Sequence, residues 1–185
     1  MIKELSKTVE VLKRGGVVLY PTDTIWGLGC DAKNESAIDR IYDVKKRLYA
    51  KSMIILVNSE QMLKKIVDIP KAALEIINDR KKIVTIIYDN PRGIPKSIVS
   101  KDNTIAIRLT RNTFCNRLIS MLNSPIVSTS ANISGFAHPN SFKDIDSEIL
   151  NQVDYCVNLY RDNKCIKPSS IIRVSENAEI KIIRE

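Results

Sequence analysis

Short apolar runs alternate with amphipathic stretches along most of the chain, and this alternation constrains the fold more than any other feature. Residues 83–88, 104–109 and 126–129 are apolar and rich in β-branched side chains, as buried strands are. Residues 113–122 lie between two of these runs and carry apolar side chains at helical spacing. Strands that alternate with helices along a chain pack as an α/β fold.

The same patterns predict the other elements. Asn34 and Ser59 are residue types that cap helix N-termini, and Pro70 can begin a helix. The predicted helices cover residues 5–12, a stretch after Asn34 that runs into residues 45–51, and residues 59–67, 70–78 and 144–150. Further strands are predicted at 17–20 and 53–57, a loop at 22–30, and a closing hairpin from 170–174 and 179–183. Because a hairpin adds an antiparallel pair, we expect a twisted mixed sheet with flanking helices. The sequence shows no internal repeat, low-complexity tract or linker, so we expect one domain over residues 1–185.

The formal net charge of +8 favours partners that bear phosphate, namely a nucleotide, RNA or an anionic membrane surface. A solvated basic surface accounts for the same charge equally well. No apolar run approaches the roughly 20 residues that a membrane-spanning helix needs, and residues 1–14 are charged and helix-like rather than a signal peptide. No membrane partner is therefore expected.

Cysteine and histidine are too few to predict a metal site. The four cysteines form no CxxC pair, and His138 is the only histidine. A disulfide framework is not expected in a chain of 185 residues with this few cysteines. These features favour the reducing cytoplasm.

Three polar loops follow predicted strands, at residues 21–24, 128–135 and 168–170. Ligands of open α/β sheets bind beyond strand ends, so the loops can converge on one pocket. Any one of them also fits an ordinary turn, because Ser, Thr and Gly are common turn residues.

A basic segment lies between the first and second loops. Lys45, Arg47 and Lys51 can present three cations to one polyphosphate. The alternative is that these three side chains lie at a solvated helix end, where cations complement the helix dipole. The chain has no GxxxxGK[ST] or GxGxxG motif, so a nucleotide would bind without a P-loop.

These motifs together resemble the YrdC-type threonylcarbamoyl-AMP synthases. Residues 20–32 (Tyr-Pro-Thr-Asp-Thr-Ile-Trp-Gly-Leu-Gly-Cys-Asp-Ala) are similar to the opening signature of that family. Lys45-x-Arg47 with Lys51 resembles its basic motif, and residues 128–135 (Ser-Thr-Ser-Ala-Asn-Ile-Ser-Gly) resemble its SxN motif. Residues 106–108 and 168–171 match weaker family positions, so the resemblance extends over nearly the whole chain.

The resemblance implies a mixed α/β sheet curved around a basic concave groove. It implies an L-threonylcarbamoyladenylate synthase that uses ATP, L-threonine and bicarbonate, with Mg²⁺ on the nucleotide, for tRNA modification. A separate threonylcarbamoyl transferase complex would take the product. Transfer RNA or double-stranded RNA is a further candidate ligand of the basic groove.

The resemblance also implies roles for individual residues. L-Threonine would be bound by Thr24, Arg108, Ser128 and Ser169. ATP would be bound by Arg47, Lys51, Thr104, Ser130, Asn132 and Arg184. The catalytic group would be Lys45, Arg47, Ser130 and Asn132. The sequence departs from the family pattern at Leu48, Ser52, Leu56 and His138.

Two other functions are compatible with parts of this pattern. A non-catalytic RNA-binding protein explains the charge of +8 but not the three polar loops. A sugar-phosphate enzyme on a similar fold would need clustered acidic metal ligands and a histidine, which the sequence does not suggest.

Overall fold

A mixed sheet forms the centre of the computed structural model, which describes residues 1–48, 53–79, 82–175 and 179–185. Within these ranges the sheet has nine strands in the order β7-β1-β2-β6-β3-β5-β4-β8-β9. The strands are β1 (Val18–Tyr20), β2 (Gly27–Gly29), β3 (Ile54–Val57), β4 (Val84–Asp89), β5 (Thr104–Leu109), β6 (Ile126–Ser130), β7 (Tyr155–Cys156), β8 (Ser170–Val174) and β9 (Ile180–Arg184). Strand pairs β1/β7, β3/β5 and β4/β8 are parallel, whereas the other neighbouring pairs are antiparallel. The predicted mixed sheet is confirmed.

Two helices begin at the caps that the sequence predicts. The Asn34 side chain accepts a hydrogen bond from the Ala37 N–H, and the Ser59 side chain accepts one from the Met62 N–H. Each bond satisfies a donor that the first helical turn leaves without a partner. The helices are α1 (Ile2–Lys13), α2 (Glu35–Val44), α3 (Glu60–Lys64), α4 (Lys71–Asn78), α5 (Thr113–Leu122) and α6 (Ser147–Leu150). None of them, within the described ranges, has the length and apolar character needed to cross a bilayer.

The structure corrects several of the predicted elements. The helix predicted at 59–67 covers only Glu60–Lys64. The loop predicted at residues 22–30 contains β2, and β7 was not predicted. The helix predicted at 144–150 is shorter, because a 3₁₀ turn at Phe142–Asp144 precedes it and Asp146 caps α6. The helix after Asn34 ends at Val44, before the basic segment, of which residues 49–51 lie outside the described ranges. The predicted closing hairpin is confirmed as the antiparallel pair β8/β9.

The alternation of side chains along β5 shows how the sheet separates a core from a site. Ile105 and Ile107 belong to the larger core, which α2, α3 and α4 cover. Arg108 points to the opposite face, since successive strand residues alternate between faces. On that face α1 and α5 cover only part of the sheet, in a smaller core around Tyr20 and Leu56. Further along the same face, Ile87, Ala106 and Ile171 line a cavity.

Gly29 allows β1, β2 and β6 to approach each other closely. A Cβ atom at this position would lie 2.0 Å from the Val127 carbonyl oxygen and 2.9 Å from Cε1 of Tyr20. The Tyr20 hydroxyl donates a hydrogen bond of 2.9 Å to the same carbonyl oxygen. Neither obstacle is the free end of a flexible side chain, so a larger residue would require the strands to move apart.

We therefore expect Gly29→Ala to lower the free energy of unfolding by about 3 kcal/mol, at the upper end of typical overpacking costs. Gly93→Ala is the matched control: its Cβ would meet nothing within 4 Å, and only its φ of +70° opposes the change, at a cost of about 1 kcal/mol. Urea denaturation of both variants provides the comparison. Equal losses would contradict the close approach described for Gly29.

Candidate active site

A cavity of about 380 Å³ opens on the sheet face beyond α1 and α5. Its wall is built by the loop after β1, by β5, by β6 and the loop that follows it, by the segment before β8, and by β9. Among the described residues, its charged lining consists of Arg47, Arg108 and Arg184, with no carboxylate. Guanidinium groups bind carboxylates and phosphates through paired hydrogen bonds, so the cavity suits an anionic ligand.

Arg108 is the most enclosed of these cations, with 4% of its surface exposed. Its Nη2 lies 3.1 Å from Oδ1 of Asp23, and its Nη1 donates a hydrogen bond of 3.3 Å to Oγ1 of Thr24. The loop after β1 therefore contacts both terminal nitrogens of the guanidinium group, through an ion pair at Nη2 and a hydrogen bond at Nη1. Oδ1 of Asp23 has no hydrogen-bond partner among the described residues. Nε of Arg108 is buried and has no hydrogen-bond partner among the described residues.

The hydroxyl groups of this loop form a chain with a fixed direction. Oγ1 of Thr22 donates its single proton to the Ile25 carbonyl oxygen at 2.7 Å. Oγ1 of Thr24 lies 3.1 Å from Oγ1 of Thr22, so the Thr24 hydroxyl is the donor of that bond. The Thr24 hydroxyl donates its proton to Thr22 and accepts a hydrogen bond from Arg108. Toward a ligand it can therefore act only as a hydrogen-bond acceptor. It therefore selects an N–H or O–H group of the ligand.

The loop after β6 is held from behind by a buried lysine. Nζ of Lys45 donates to the carbonyl oxygens of Ser130 and Asn132, at 2.5 and 2.7 Å. The Asn132 side chain donates through Nδ2 to the carbonyl oxygens of Ile133 and Phe136, which fixes the orientation of its amide. These bonds shape the segment that presents Ser130 and Asn132 to the cavity.

Lys45 has no carboxylate partner among the described residues, although only 1% of its surface is exposed. Burial lowers the pKa of Lys45 to about 7, and the nearby charge of Arg47 contributes to the shift. A neutral amine still has two N–H groups, which suffice for the two carbonyl oxygens. The side chain can hold the loop in either protonation state.

Arg184 lines the cavity from β9, a strand whose residues are exposed. Its Nε and Nη2 donate to the Ser169 carbonyl oxygen at 3.2 and 2.8 Å, and the Ser169 hydroxyl lies 2.8 Å from that of Thr85. Burial and the charge of Arg108 lower the pKa of Arg184, and burial lowers the pKa of Arg47. Each shift reflects a cation that lacks full solvation, and an anionic ligand would relieve it.

Most of the residues that the motifs singled out meet at this cavity. Its lining includes Thr24, Arg47, Arg108, Ser128, Ser130, Asn132, Ser169 and Arg184. Lys45 is not part of the lining. Thr104 is also absent from it, because its hydroxyl faces Ser100 and Asp102 at 2.6 and 3.0 Å. Lys51 lies outside the described residues.

Two functional groups of the loop after β1 were missed by the sequence analysis. Asp23 and Thr22 lie inside the first motif, but nothing local indicates that Asp23 would meet Arg108 or that Thr22 would orient Thr24. Of the departures from the family pattern, His138 lines the cavity and Leu56 packs in the smaller core. Leu48 is exposed, and Ser52 lies outside the described ranges.

The described residues do not suggest a resident metal ion. They contain no group of three His, Cys, Asp or Glu side chains that could hold one. Magnesium is held by carboxylates together with substrate phosphates, and the described cavity lining offers no carboxylate.

Comparison with known proteins gives a consistent result. A family model for the Sua5, YciO and YrdC proteins, described as "Telomere recombination", matches residues 10–185. The chain is 31% identical over 157 residues to the threonylcarbamoyl-AMP synthase of Pseudoalteromonas translucida strain TAC 125. That alignment covers 83% of this chain and 84% of the relative.

Two solved structures share the fold. E. coli YciO superposes with a TM-score of 0.87 at 22% identity, over 100% of this chain and 90% of that one. P. abyssi Sua5 complexed with L-threonine superposes with a TM-score of 0.81 at 24% identity, over 91% of this chain. The chain spans about half of the Sua5 chain, 50% by coverage.

The buried position of Lys45 predicts a pH dependence of stability. An unfolded lysine keeps its proton up to a pKa of about 10.4, whereas the folded pKa is about 7. Above pH 7 the unfolded state therefore binds more protons than the folded state, and stability rises with pH until the unfolded lysine also titrates. The burial penalty is fully present below pH 7.

Lys45→Met should remove this dependence. The wild-type free energy of unfolding minus that of the variant should rise by about 2 kcal/mol between pH 7 and pH 9. Lys46→Met, which removes the exposed neighbour, controls for the loss of one charge. Denaturant titrations at both pH values measure the difference, and a flat difference for Lys45→Met would contradict the depressed pKa.

Proposed function

The chain belongs to the Sua5, YciO and YrdC family, and from this membership we propose that it is an L-threonylcarbamoyladenylate synthase. The reactants are ATP, L-threonine and bicarbonate, and the products are threonylcarbamoyl-AMP, pyrophosphate and water. The named activity of the P. translucida relative supports this assignment. The observation that carries this proposal is the composition of the cavity wall. Its described lining residues include three arginines and no carboxylate, and the Thr24 hydroxyl can only accept a hydrogen bond from a ligand.

The threonine end of the cavity would be the side nearest the loop after β1. Arg108 would bind the amino-acid carboxylate through its guanidinium group. Thr24 would accept a hydrogen bond from the amine or from the side-chain hydroxyl of the substrate. Ser128 and Ser169 lie in the same wall and would complete the subsite. The L-threonine complex of the P. abyssi protein supports this ligand.

The nucleotide end would lie against the loop after β6. Arg47 and Arg184 would bind phosphate oxygens, and Ser130 and Asn132 would position the nucleotide. Lys51 and Thr104 remain proposed ATP contacts on the basis of family resemblance. Mg²⁺ would arrive with ATP as part of the substrate, held by the phosphates. We propose that Lys45 acts on this end indirectly, because its ammonium group binds the backbone of the loop.

The chemistry requires little beyond positioning and charge. The threonine amine and bicarbonate combine to a carbamate with loss of water. One carbamate oxygen attacks the α-phosphorus of ATP, a new P–O bond forms, and the bond to the β-phosphate oxygen breaks to release pyrophosphate. Since the carbamate is already an anion, no side-chain base is needed at that step. The arginines would offset the repulsion between carboxylate, carbamate and triphosphate.

The product would serve threonylcarbamoyl-adenosine modification of tRNA, with a separate transferase complex completing it. Transfer RNA or double-stranded RNA would bind through the basic groove. The attraction between positive side chains and backbone phosphates does not depend on the nucleotide sequence.

We further propose that residues 1–185 act as one domain in the cytoplasm.

Pyrophosphate release tests the reaction. With MgATP, L-threonine and bicarbonate together, the protein should release pyrophosphate and form threonylcarbamoyl-AMP, detected by mass spectrometry. Omission of threonine or of bicarbonate should abolish both signals. Hydrolysis of ATP to ADP and phosphate would refute an adenylate mechanism, and RNA binding without pyrophosphate release would favour a non-catalytic protein.

Arg47→Ala should weaken the nucleotide subsite selectively. Truncating a partly buried charge-assisted contact costs about 2–5 kcal/mol in comparable complexes, so the KM for ATP should rise at least about tenfold. The KM for threonine should change little. Arg14→Ala, which removes an exposed arginine on α1, controls for net charge. If both variants show wild-type ATP dependence, Arg47 is not a nucleotide contact.

A further inference from the structure

Asp23 is a buried carboxylate that the proposed chemistry does not use. Only 10% of its side-chain surface is exposed, and it lies beside a cavity built for anions. A carboxylate near such a site opposes ligand binding unless it performs another task. Its contacts indicate what that task is.

The Asp23 carboxylate joins the loop after β1 to the end of β5. Oδ1 lies 3.1 Å from Nη2 of Arg108. Oδ2 accepts hydrogen bonds of 3.3 Å from the Thr110 hydroxyl and from the Arg111 N–H. The Thr110 N–H in turn donates to the Val57 carbonyl oxygen at 2.9 Å. The carboxylate is therefore anchored to the sheet and does not follow the guanidinium group passively.

Two consecutive residues contact Arg108. Oδ1 of Asp23 pairs with Nη2 by charge at 3.1 Å, without hydrogen-bond geometry, and Thr24 accepts a hydrogen bond from Nη1. A guanidinium group binds a carboxylate well only when its planar fork is presented at the correct angle. An arginine with 4% exposure also needs an opposite charge to be buried before any ligand arrives.

We propose that Asp23 is a positioning residue that orients Arg108 for the carboxylate of the amino-acid substrate. This inference rests on the proposed function, because it assumes that Arg108 binds that carboxylate. Asp23 does not touch the substrate. It acts through the ion pair, which keeps the fork in place and neutralises the arginine in the empty site.

The alternative is that Asp23 only competes with the substrate for Arg108. The two roles predict opposite changes in the KM for L-threonine when the charge of Asp23 is removed. If Asp23 positions Arg108, loss of its charge raises the threonine concentration needed for half-maximal rate. If Asp23 only competes, the same loss lowers it.

Asp23→Asn is the decisive variant, because it keeps the shape and removes the charge. The KM for L-threonine should rise at least about tenfold, while the KM for ATP stays within about twofold. Asp23→Glu retains the charge on a longer side chain and should recover part of the loss. Asp89→Asn is the matched control, since Asp89 pairs with Arg173 at 2.9 Å on the same sheet, outside the cavity lining. It should leave both KM values unchanged.

Calorimetric titration of L-threonine into the same proteins separates the two hypotheses. If the wild type binds no threonine, the proposed function fails. If the wild type binds threonine and Asp23→Asn binds it equally or more tightly, the positioning role is wrong. A melting curve establishes that each variant is folded. If Asp23→Asn does not fold, Asp23→Glu decides, because a longer arm must displace Arg108 and an unchanged dissociation constant overturns the inference.

Discussion

The ion pair between Asp23 and Arg108 is the interaction on which the site depends. It joins a loop that follows β1 to a strand that lies four places along the sheet, with β2, β6 and β3 between them. The same loop also accepts a hydrogen bond of 3.1 Å from the Ile166 N–H at the Thr24 carbonyl oxygen, and Asp23 ties it to the residues at the end of β5. Beside this pair, Thr24 accepts a hydrogen bond from Arg108. The direction of the hydroxyl chain behind Thr24 is set by the bond from Thr22 to the Ile25 carbonyl oxygen. The position of Arg108 at the carboxylate end depends on both contacts.

Two cations stabilise other parts of the cavity wall by binding backbone carbonyl oxygens. Lys45 binds the backbone of the loop after β6 from its buried side, and Arg184 binds the Ser169 carbonyl oxygen from β9. Burying a charged group costs more free energy than burying an apolar side chain. The hydrogen bonds of these groups to the backbone therefore define the loop shapes at the expense of folding stability. The cavity wall then consists of side chains whose positions are set by contacts made behind them.

Most of the sheet could be predicted because its strands are continuous apolar runs of typical length. β2 was missed because Gly27-Leu28-Gly29 has one apolar side chain, and its pairing is permitted by small size rather than by hydrophobicity. β7 has two residues, too few for any periodicity. In the site, the family resemblance implied that Arg108 binds L-threonine, but it did not indicate that Arg108 would be buried in an ion pair as well as line the cavity. Asp23 was missed because its partner is 85 positions away in sequence, a separation that no local pattern reports.

The two N–H bonds of Lys45 have a consequence for how the cavity responds to acidity. Since a neutral amine can make both bonds, the shape of the loop does not depend on whether the lysine is protonated. The electrostatic potential behind the loop does depend on it, because the pKa of Lys45 is about 7. Around neutral pH the protein can thus lose a positive charge beside its anion site with the wall unmoved. The attraction for phosphate can therefore change with pH while the loop keeps both of its hydrogen bonds to Lys45.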